Sequence, residues 1–250
     1  MAMDAKFTAV LGSIFIFGIL ENLFPFFQYK QSFSRRMSQN FALGLLNAIA
    51  TSLTTVLLLK WVWQQNIWLG LFQGIKPVWL VGILSFLVLD VYLYFWHRLM
   101  HTWPMAWRFH RVHHTEMSMN ISTAYRFHTV EVLLSNLPKI FLIWLFGVRP
   151  IHAVIYELAF TIIVVFHHSN WHLPERVDKF LSYFIVTPNY HRLHHSQIVK
   201  ETNSNYASLL TIWDRLFGSF RDSSNPQLIK LGLVEETREI NFFNLLKLPF

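Results

Sequence analysis

Five histidines fall within eighteen residues between His97 and His114, in the stretch DVYLYFWHRLMHTWPMAWRFHRVHH that begins at Asp90. His97 and His101 stand four apart, so on a helix both imidazoles leave one face and can converge on one ion. His110, His113 and His114 bracket a single turn at offsets of three and four. A second box of nearly the same lettering, HRLHH after HRVHH, supplies His191, His194 and His195. These eight imidazoles exceed what one ion needs, and two metals sharing the set is the economical reading. The chain has no cysteine, so any metal is held by nitrogen and oxygen donors. A zinc protease box carries Glu after its first His, and here Arg98, Arg111 and Arg192 occupy those places, which removes the general base. An all-nitrogen pair of sites at the ends of apolar helices suits iron used with dioxygen on a lipid, because iron reaches oxidants able to break an unactivated C–H bond. Imidazoles also suit zinc, copper and nickel. Soluble di-iron bundles rely on Glu and Glu-x-x-His pairs and are not the template.

The elements that must position these rings are apolar. Hydrophobic residues make up 53% of the 250 residues and charged residues 14%, with several runs near membrane-spanning length. The net charge of +7 is spread among Trp and Phe at loop edges, as membrane flanks are, which argues against nucleic acid as a partner. Phe7 to Phe27 reads as an uncleaved first span. Lys30, Arg35 and Arg36 follow with no acid between Gln28 and Asn40, which places that connection in the cytoplasm. Phe41 to Trp63 then crosses outward, Gln64 to Pro77 connects, and Val78 to Trp96 returns to deliver His97. Thr115 to His128 is polar and lacks helical periodicity, so it reads as a loop over the site. Val132–Phe146 and Ile151–Phe166, split by Gly147, Arg149 and Pro150, read as a tight helical hairpin that returns His167, His168 and His172 to the same side. From Leu173 onward no further span is long enough, so this part is expected to stay cytoplasmic. Charge bias and span count, neither of which uses the histidines, thus put every box on one face.

Taken together, the ordered series of motifs resembles the fatty acid hydroxylase and sterol desaturase superfamily of membrane di-iron oxygenases. The resemblance runs from about Asp90 to Phe220. It rests on HRLMH at His97, HRVHH at His110, RFHTVE at Arg126, HSNWH at His168, TPNYHRLHH at Thr187 and NYASLLTIWDRLFGSF at Asn205. It implies that His97, His101, His110, His113, His114, His191, His194 and His195 bind two irons, and that His168 and His172 match a further pair liganding in some members. Thr129 and Ala207 depart from the Pro and Gly frequent in the family at those places, which bears on the loops that choose substrate.

Several residues invite a supporting role. Asp90 lies two turns above His97 in an apolar run, where a lone carboxylate is costly, and is expected to orient a ligand histidine; the bland alternative is a carboxylate satisfied by a neighbouring helix. Glu131, Asn170, Asp214 and His128 are further candidates, with helix or turn partnering as the alternative for Asp214 and a structural role as the alternative for His128. His152 and His167 read as structural, the latter because its ring leaves the face shared by His168 and His172. For the box histidines the bland alternative is helix capping at the membrane interface, which does not account for the duplicated spacing.

The expectation is therefore an all-α integral membrane bundle of about four spans or half-spans under a cytoplasmic histidine-rich cap. A single domain covers 1–250, with N-terminal spans to 89, the histidine-box region at 90–220 and a cytoplasmic tail at 221–250. Two irons, dioxygen and electrons from a separate donor protein would hydroxylate or desaturate a lipid, with zinc able to substitute in purified protein. No Gly-rich nucleotide fingerprint provides for a bound reductant. Two rival classes are a histidine-rich metal transporter or sensor, which would place its ligands along the spans, and a zinc-dependent membrane hydrolase, which would place a carboxylate base within its boxes.

Overall fold

An apolar run of about twenty residues has one inexpensive conformation in lipid, the α-helix, because each backbone donor must find its acceptor within the segment. The computed structural model describes residues 2–29, 33–65, 69–222, 225–236 and 239–250, and follows this rule. Among the described residues, four helical stretches are long and apolar enough to cross a membrane: Arg36–Gln64, Val78–Thr102, Thr129–Phe146 and Pro150–His168. The first comprises α2 (Phe33–Leu53) and α3 (Thr55–Gln64), jointed at Thr54, whose hydroxyl donates back to the Ala50 carbonyl at 2.7 Å. The others are α4 (Val78–Thr102), α6 (Thr129–Phe146) and α7 (Pro150–His168). Before them α1 (Ala2–Leu23), whose apolar part Phe7–Leu23 is shorter, packs along α7. The chain is a multi-pass, all-helical membrane protein. Of the positive connection expected on one side, Lys30 lies outside the described residues, as do residues 66–68 of the next connection.

Local chemistry sets where the long helices stop. Pro104 has no N–H to continue α4 and restrains Trp103 to an extended conformation (φ −100°, ψ 116°). The chain turns there and starts α5 (Pro104–His114), which folds back against α4 and lays the second histidine box over the first. α6 ends at Gly147 in the left-handed region (φ 68°), with Val148 N–H donating to the Ile143 carbonyl at 2.9 Å, and Pro150 opens α7. α4 and α7 therefore run the same way and finish together at one end, the histidine end.

Polar sequence at that end is folded inward. Thr115, Glu116, Ser118, Asn120, Ser122 and Thr123 are buried. Asn120 caps a 3-10 turn at Ile121–Tyr125, and Asn40 of α2 donates to Glu116 and Ser122 while accepting from Arg126 at 2.8 Å. The expected loop is thus an ordered plug whose polar groups satisfy one another. Short helices α8 (Glu175–Leu181), α9 (Pro188–His194), α10 (Val199–Thr202) and α11 (Ile212–Leu216) complete the cap. The C-terminal α12 (Phe242–Lys247) returns to α2, burying Leu245 with Leu43 and Val112.

The opposite end closes by direct backbone contact. Leu71 and Phe72 N–H donate to the Leu145 and Phe146 carbonyls at 3.0 and 3.1 Å. Gly70 (φ 86°) meets Gly147 so closely that a Cβ on Gly70 would sit 2.2 Å from the Gly147 backbone, and one on Gly147 would sit 2.4 Å from the Leu69 carbonyl oxygen. Gly147→Ala is expected to cost about 2 kcal/mol or more, combining left-handed strain with overpacking. It should visibly lower the thermal unfolding midpoint in detergent. Gly12→Ala, in a helix with open space around it, should leave the midpoint unchanged or slightly raised; equal midpoints for the two variants would contradict the contact.

Candidate metal centre

Two groups of imidazoles converge at the histidine end, each with ring nitrogens close enough to share one ion. His97, His101, His110, His114 and His194 form the first, and His113, His168, His191 and His195 the second. The two boxes interleave. On α5 the i, i+4 pair His110 and His114 faces the first group while His113 faces the second; on α9 and its next residue, His191 and His195 face the second while His194 faces the first. The shared lettering of the boxes is the covalent form of this exchange. α4 adds His97 and His101 to one group, and α7 adds His168 to the other. The groups meet at His114 and His195, stacked at 4.4 Å.

Tautomers follow from what each Nδ1 touches. A carbonyl can only accept, so the Nδ1 of His97 donates to Tyr206 O at 2.7 Å, and that of His194 to Ser204 O at 2.7 Å. Likewise the Nδ1 of His168 donates to Val164 O at 2.7 Å and that of His113 to Arg126 O at 3.2 Å. His110 Nδ1 donates to the Glu131 carboxylate at 2.7 Å. Every one of these rings then presents a bare Nε2. Yet the Nε2 atoms of His97 and His110 lie 3.1 Å apart, and those of His113 and His168 also 3.1 Å. Two lone pairs facing each other across buried space repel, and a cation between them removes the repulsion. The Nε2 atoms of His114 and His194 are buried and meet no hydrogen-bond partner among the described residues. Burial first, then neighbouring imidazoles, hold His113, His114, His191, His194 and His195 well below the ordinary histidine range, so these rings stay neutral and able to ligate. Separations of 3.0 to 3.1 Å also join His168, His191 and His195, close enough for their nitrogens to share one ion.

The supporting residues divide. Glu131 contacts His110 as described, the carboxylate–imidazole pairing that fixes a ring and raises its basicity. Asp90 does not reach a histidine: its Oδ2 accepts from Trp213 Nε1 at 2.7 Å and Leu210 N at 3.2 Å, and its Oδ1 from the Tyr156 hydroxyl at 3.4 Å. Seven residues along a helix is too far for direct contact, and Asp90 acts instead on the strap Asn205–Asp214. Asp214 holds the other end, accepting from the amides of Tyr206 and Ala207 at 2.8 Å each and from the hydroxyls of Ser219 and Tyr190 at 2.7 Å each. Tyr206 is the residue whose carbonyl accepts the hydrogen bond from His97 Nδ1, so both carboxylates bear on His97 through one piece of backbone. Asn205 enters that strap at φ 53°, a left-handed conformation that Asn tolerates. Asn170 exchanges two hydrogen bonds with the Phe27 backbone and ties the end of α1 to the cap. His128 caps α6, accepting from Val130 N–H, and contacts the Leu246 carbonyl.

His172 does not join His168. The helix ends at His168, Ser169 is extended, and His172 is exposed with its ring against Phe26 and its amide on the Phe24 carbonyl. His167 instead is buried, its ring 4.1 Å from that of His191 but outside both nitrogen groups. His152 lies at the far end beside Gly82. Arg192 fills the space behind the second group: its guanidinium stacks 3.9 Å over Phe26 and donates to the Ser169 and Trp171 carbonyls at 3.0 Å each. Nothing in a sequence box marks that role beyond the presence of Arg between two histidines.

Comparison with known proteins adds an independent line. The profile of the fatty acid hydroxylase family matches residues 82–219, more than half of the chain. Ornithine lipid hydroxylase OlsE of Rhizobium tropici is 30% identical over 67% of this chain and 50% of its own length. Alkylglycerol monooxygenase of Danio rerio is 31% identical over 67% of this chain and 36% of its own, and human lathosterol oxidase 29% identical over 62% and 48%. The chain thus spans between about a third and a half of these relatives. No solved structure matches it.

If Asp214 fixes the strap, Asp214→Asn should speed hydrogen exchange at the Tyr206 and Ala207 amides about tenfold to a hundredfold, the loss of about 1.5–3 kcal/mol of charged hydrogen bonding. Glu131→Gln, measured alongside, should leave those two amides as protected as before. Unchanged exchange in Asp214→Asn would remove the strap from the account.

Proposed function

The chain belongs to the fatty acid hydroxylase family, and we propose that it is a membrane-bound di-iron oxidoreductase that hydroxylates or desaturates a lipid with dioxygen and two electrons from a separate donor protein. Hydroxylation would convert one C–H to C–OH, with the second oxygen atom leaving as water on uptake of two electrons and two protons. Desaturation would take two hydrogens from adjacent carbons and release two waters for the same electrons and protons. The observation that carries the reading is the pairing of unprotonated Nε2 atoms at 3.1 Å in both groups, which calls for a cation in each. Iron at those places would supply an oxidant strong enough for an unactivated C–H bond.

The remaining work falls to the chain's own residues. In this reading His97, His101, His110, His114 and His194 hold one ion and His113, His168, His191 and His195 the other. The Tyr206, Ser204, Val164 and Arg126 carbonyls and the Glu131 carboxylate hold the His97, His194, His168, His113 and His110 rings in the tautomer that presents Nε2. Burial of nearly all of these imidazoles keeps bulk water from them, while the apolar spans offer a path for a lipid arriving from the bilayer. The named relatives act on an ornithine lipid, an alkylglycerol and a sterol by their names, which supports a lipid as the substrate class.

Purified protein is expected to contain about two irons per chain, one per group of donors. His194→Ala and His113→Ala, one from each group, should each reduce iron content and abolish oxygen-dependent product formation. Glu131→Gln should weaken metal retention against a chelator about tenfold to a hundredfold. Stoichiometric zinc with turnover that ignores oxygen would defeat the reading. We also place the histidine end in the cytoplasm, from the basic connection that contains Arg35 and Arg36. Because the chain lacks cysteine, Gln73→Cys should react with an impermeant maleimide from outside intact cells and Lys200→Cys only after lysis; the reverse pattern would invert the topology.

A further inference from the structure

The C-terminal cap carries an apolar surface that cannot be explained by packing within the chain. Phe180 and Leu216 are each 63% exposed, Phe184 59%, and Val177, Tyr183 and Ile212 are exposed beside them. Soluble surfaces rarely gather so many large apolar side chains in one patch. These side chains belong to one connected piece. Ile185 pairs antiparallel with Leu210, the Thr211 amide donates to the Phe184 carbonyl at 3.2 Å, and Arg215 donates to the Ser182 carbonyl at 3.0 Å.

The depth of this piece is fixed by its attachment to α4. The Leu210 amide and the Trp213 indole both donate to Asp90, and the ring of Phe217 lies 4.8 Å from that of Phe95. Asp90 is the middle residue of the 25-residue α4. A helix of that length extends about 37 Å, so Asp90 lies roughly 18 Å from either end. Against a hydrocarbon layer of about 30 Å the helix overhangs by about 7 Å in all. Even if the whole overhang is on the histidine side, Asp90 remains about 11 Å inside the boundary, and so do the strap residues bonded to it. Lys76 and Arg98, which bracket the apolar part of α4, agree with that placement. Phe95 and Leu99, on the same side of α4 as Phe217, are exposed as well, so the patch continues the lipid-facing surface of a spanning helix.

The polar groups of the piece are arranged for such a location. Short helices, the Ile185–Leu210 bridge and the bond from the Leu210 amide to Asp90 pair much of its backbone within the protein, in the direction lipid favours. The Arg215 cation is covered by the rings of Tyr183 and Phe220, at 5.4 and 4.4 Å, and bonds to carbonyls. On α8 the exposed Arg176 and Lys179, beside an exposed Glu175, flank Val177 and Phe180, so charged groups able to meet headgroups adjoin the apolar patch.

We propose that the segment from Val177 to Phe217 includes a collar immersed in the leaflet on the histidine side, with Phe180, Phe184 and Leu216 in contact with acyl chains. The expectation that the chain from Leu173 onward stays cytoplasmic is thereby refined: part of it would enter the leaflet on that side. It depends on the multi-pass fold and not on which metal is bound or which reaction is run. The Tyr206 strap is part of the same segment, so the acyl phase would reach laterally to the backbone that positions His97.

The cysteine-free chain allows single nitroxide labels at Phe180→Cys, Phe184→Cys and Leu216→Cys in phosphatidylcholine vesicles containing phosphatidylglycerol. References are Ile83→Cys on the lipid-facing side of α4 and Gln227→Cys on an exposed turn of the cap. The ratio of collisions with oxygen to collisions with a water-soluble nickel chelate should exceed unity at the three collar sites, as at Ile83, and fall below unity at Gln227. Ratios at the collar sites matching Gln227 would overturn the proposal by putting the patch in water. Protection from both relaxants, with cross-linking between chains, would overturn it in favour of a second copy. Metal content of each labelled variant equal to that of the parent chain, and preserved at more than one collar site, separates misfolding from either result.

Discussion

Pairs of bare imidazole nitrogens, forced to within 3.1 Å of each other in buried space, are the constraint on which the rest of this structure depends. Left alone, neutral imidazoles avoid that arrangement by turning a ring or shifting a tautomer so that one donates to the other. The fold denies them both escapes. Each Nδ1 that could surrender its proton is tied to an acceptor that cannot donate: the carbonyls of Tyr206, Ser204, Val164 and Arg126, or the carboxylate of Glu131. Acceptors outside the groups thereby decide what faces the middle. A cation between the nitrogens relieves the repulsion, so the donor arrangement is suited to holding one in each group.

That commitment explains the investment in polar structure around the site. A carbonyl is a useful anchor only if its own backbone is held, and those of Tyr206 and Arg126 have dedicated restraints. Asp214 and Asp90 pin the strap that carries Tyr206. Arg126, itself buried, reaches the Val112 carbonyl at 3.1 Å and the Thr115 hydroxyl at 2.7 Å, while its own carbonyl receives His113. Burial lowers its affinity for its proton, but the nearby Glu116 opposes the shift. The buried polar plug from Thr115 to Arg126 is therefore what ties the non-helical chain down at the histidine end of the bundle.

How far the sequence discloses this can be followed residue by residue. Histidine spacing on α4, α5 and α9 is visible because a helix of known pitch converts offsets of three and four into a shared face, and Pro104 marks the turn that stacks two of those faces. His172 shows where the rule fails. Its offset of four from His168 means one face only while the helix lasts, and α7 stops at His168, so the spacing has no geometric content beyond it. Asp90 shows a related limit: the same face two turns away is still about 10 Å away, so its carboxylate bears on His97 only through the strap that packs between. Glu131 was legible as a candidate acid, but the anchors that matter most are backbone carbonyls. Tyr206, Ser204, Val164 and Arg126 offer no side-chain signature for that role, since every residue has a carbonyl and only tertiary structure selects four of them.

The interleaving of the boxes carries a further consequence. Were each box to serve one ion, the two sites could drift apart as their helices moved. Instead α5 and the α9 turn each reach into both groups, with the pair and the single histidine exchanged between them. Rigid rotation of either element shortens contacts in one group as it lengthens them in the other, so the geometry of both is fixed together. The His114 and His195 stack at the junction leaves little room for independent adjustment. The exchange is not complete, because α4 contributes two histidines to its group and α7 only one to the other. The group of four is thus the less enclosed by imidazole, and it is the one behind which Arg192 and His167 pack. Unequal donor counts within a mechanically coupled pair make the two positions chemically distinct while holding them at a set separation, which is the arrangement needed if two ions are to act on one small molecule between them.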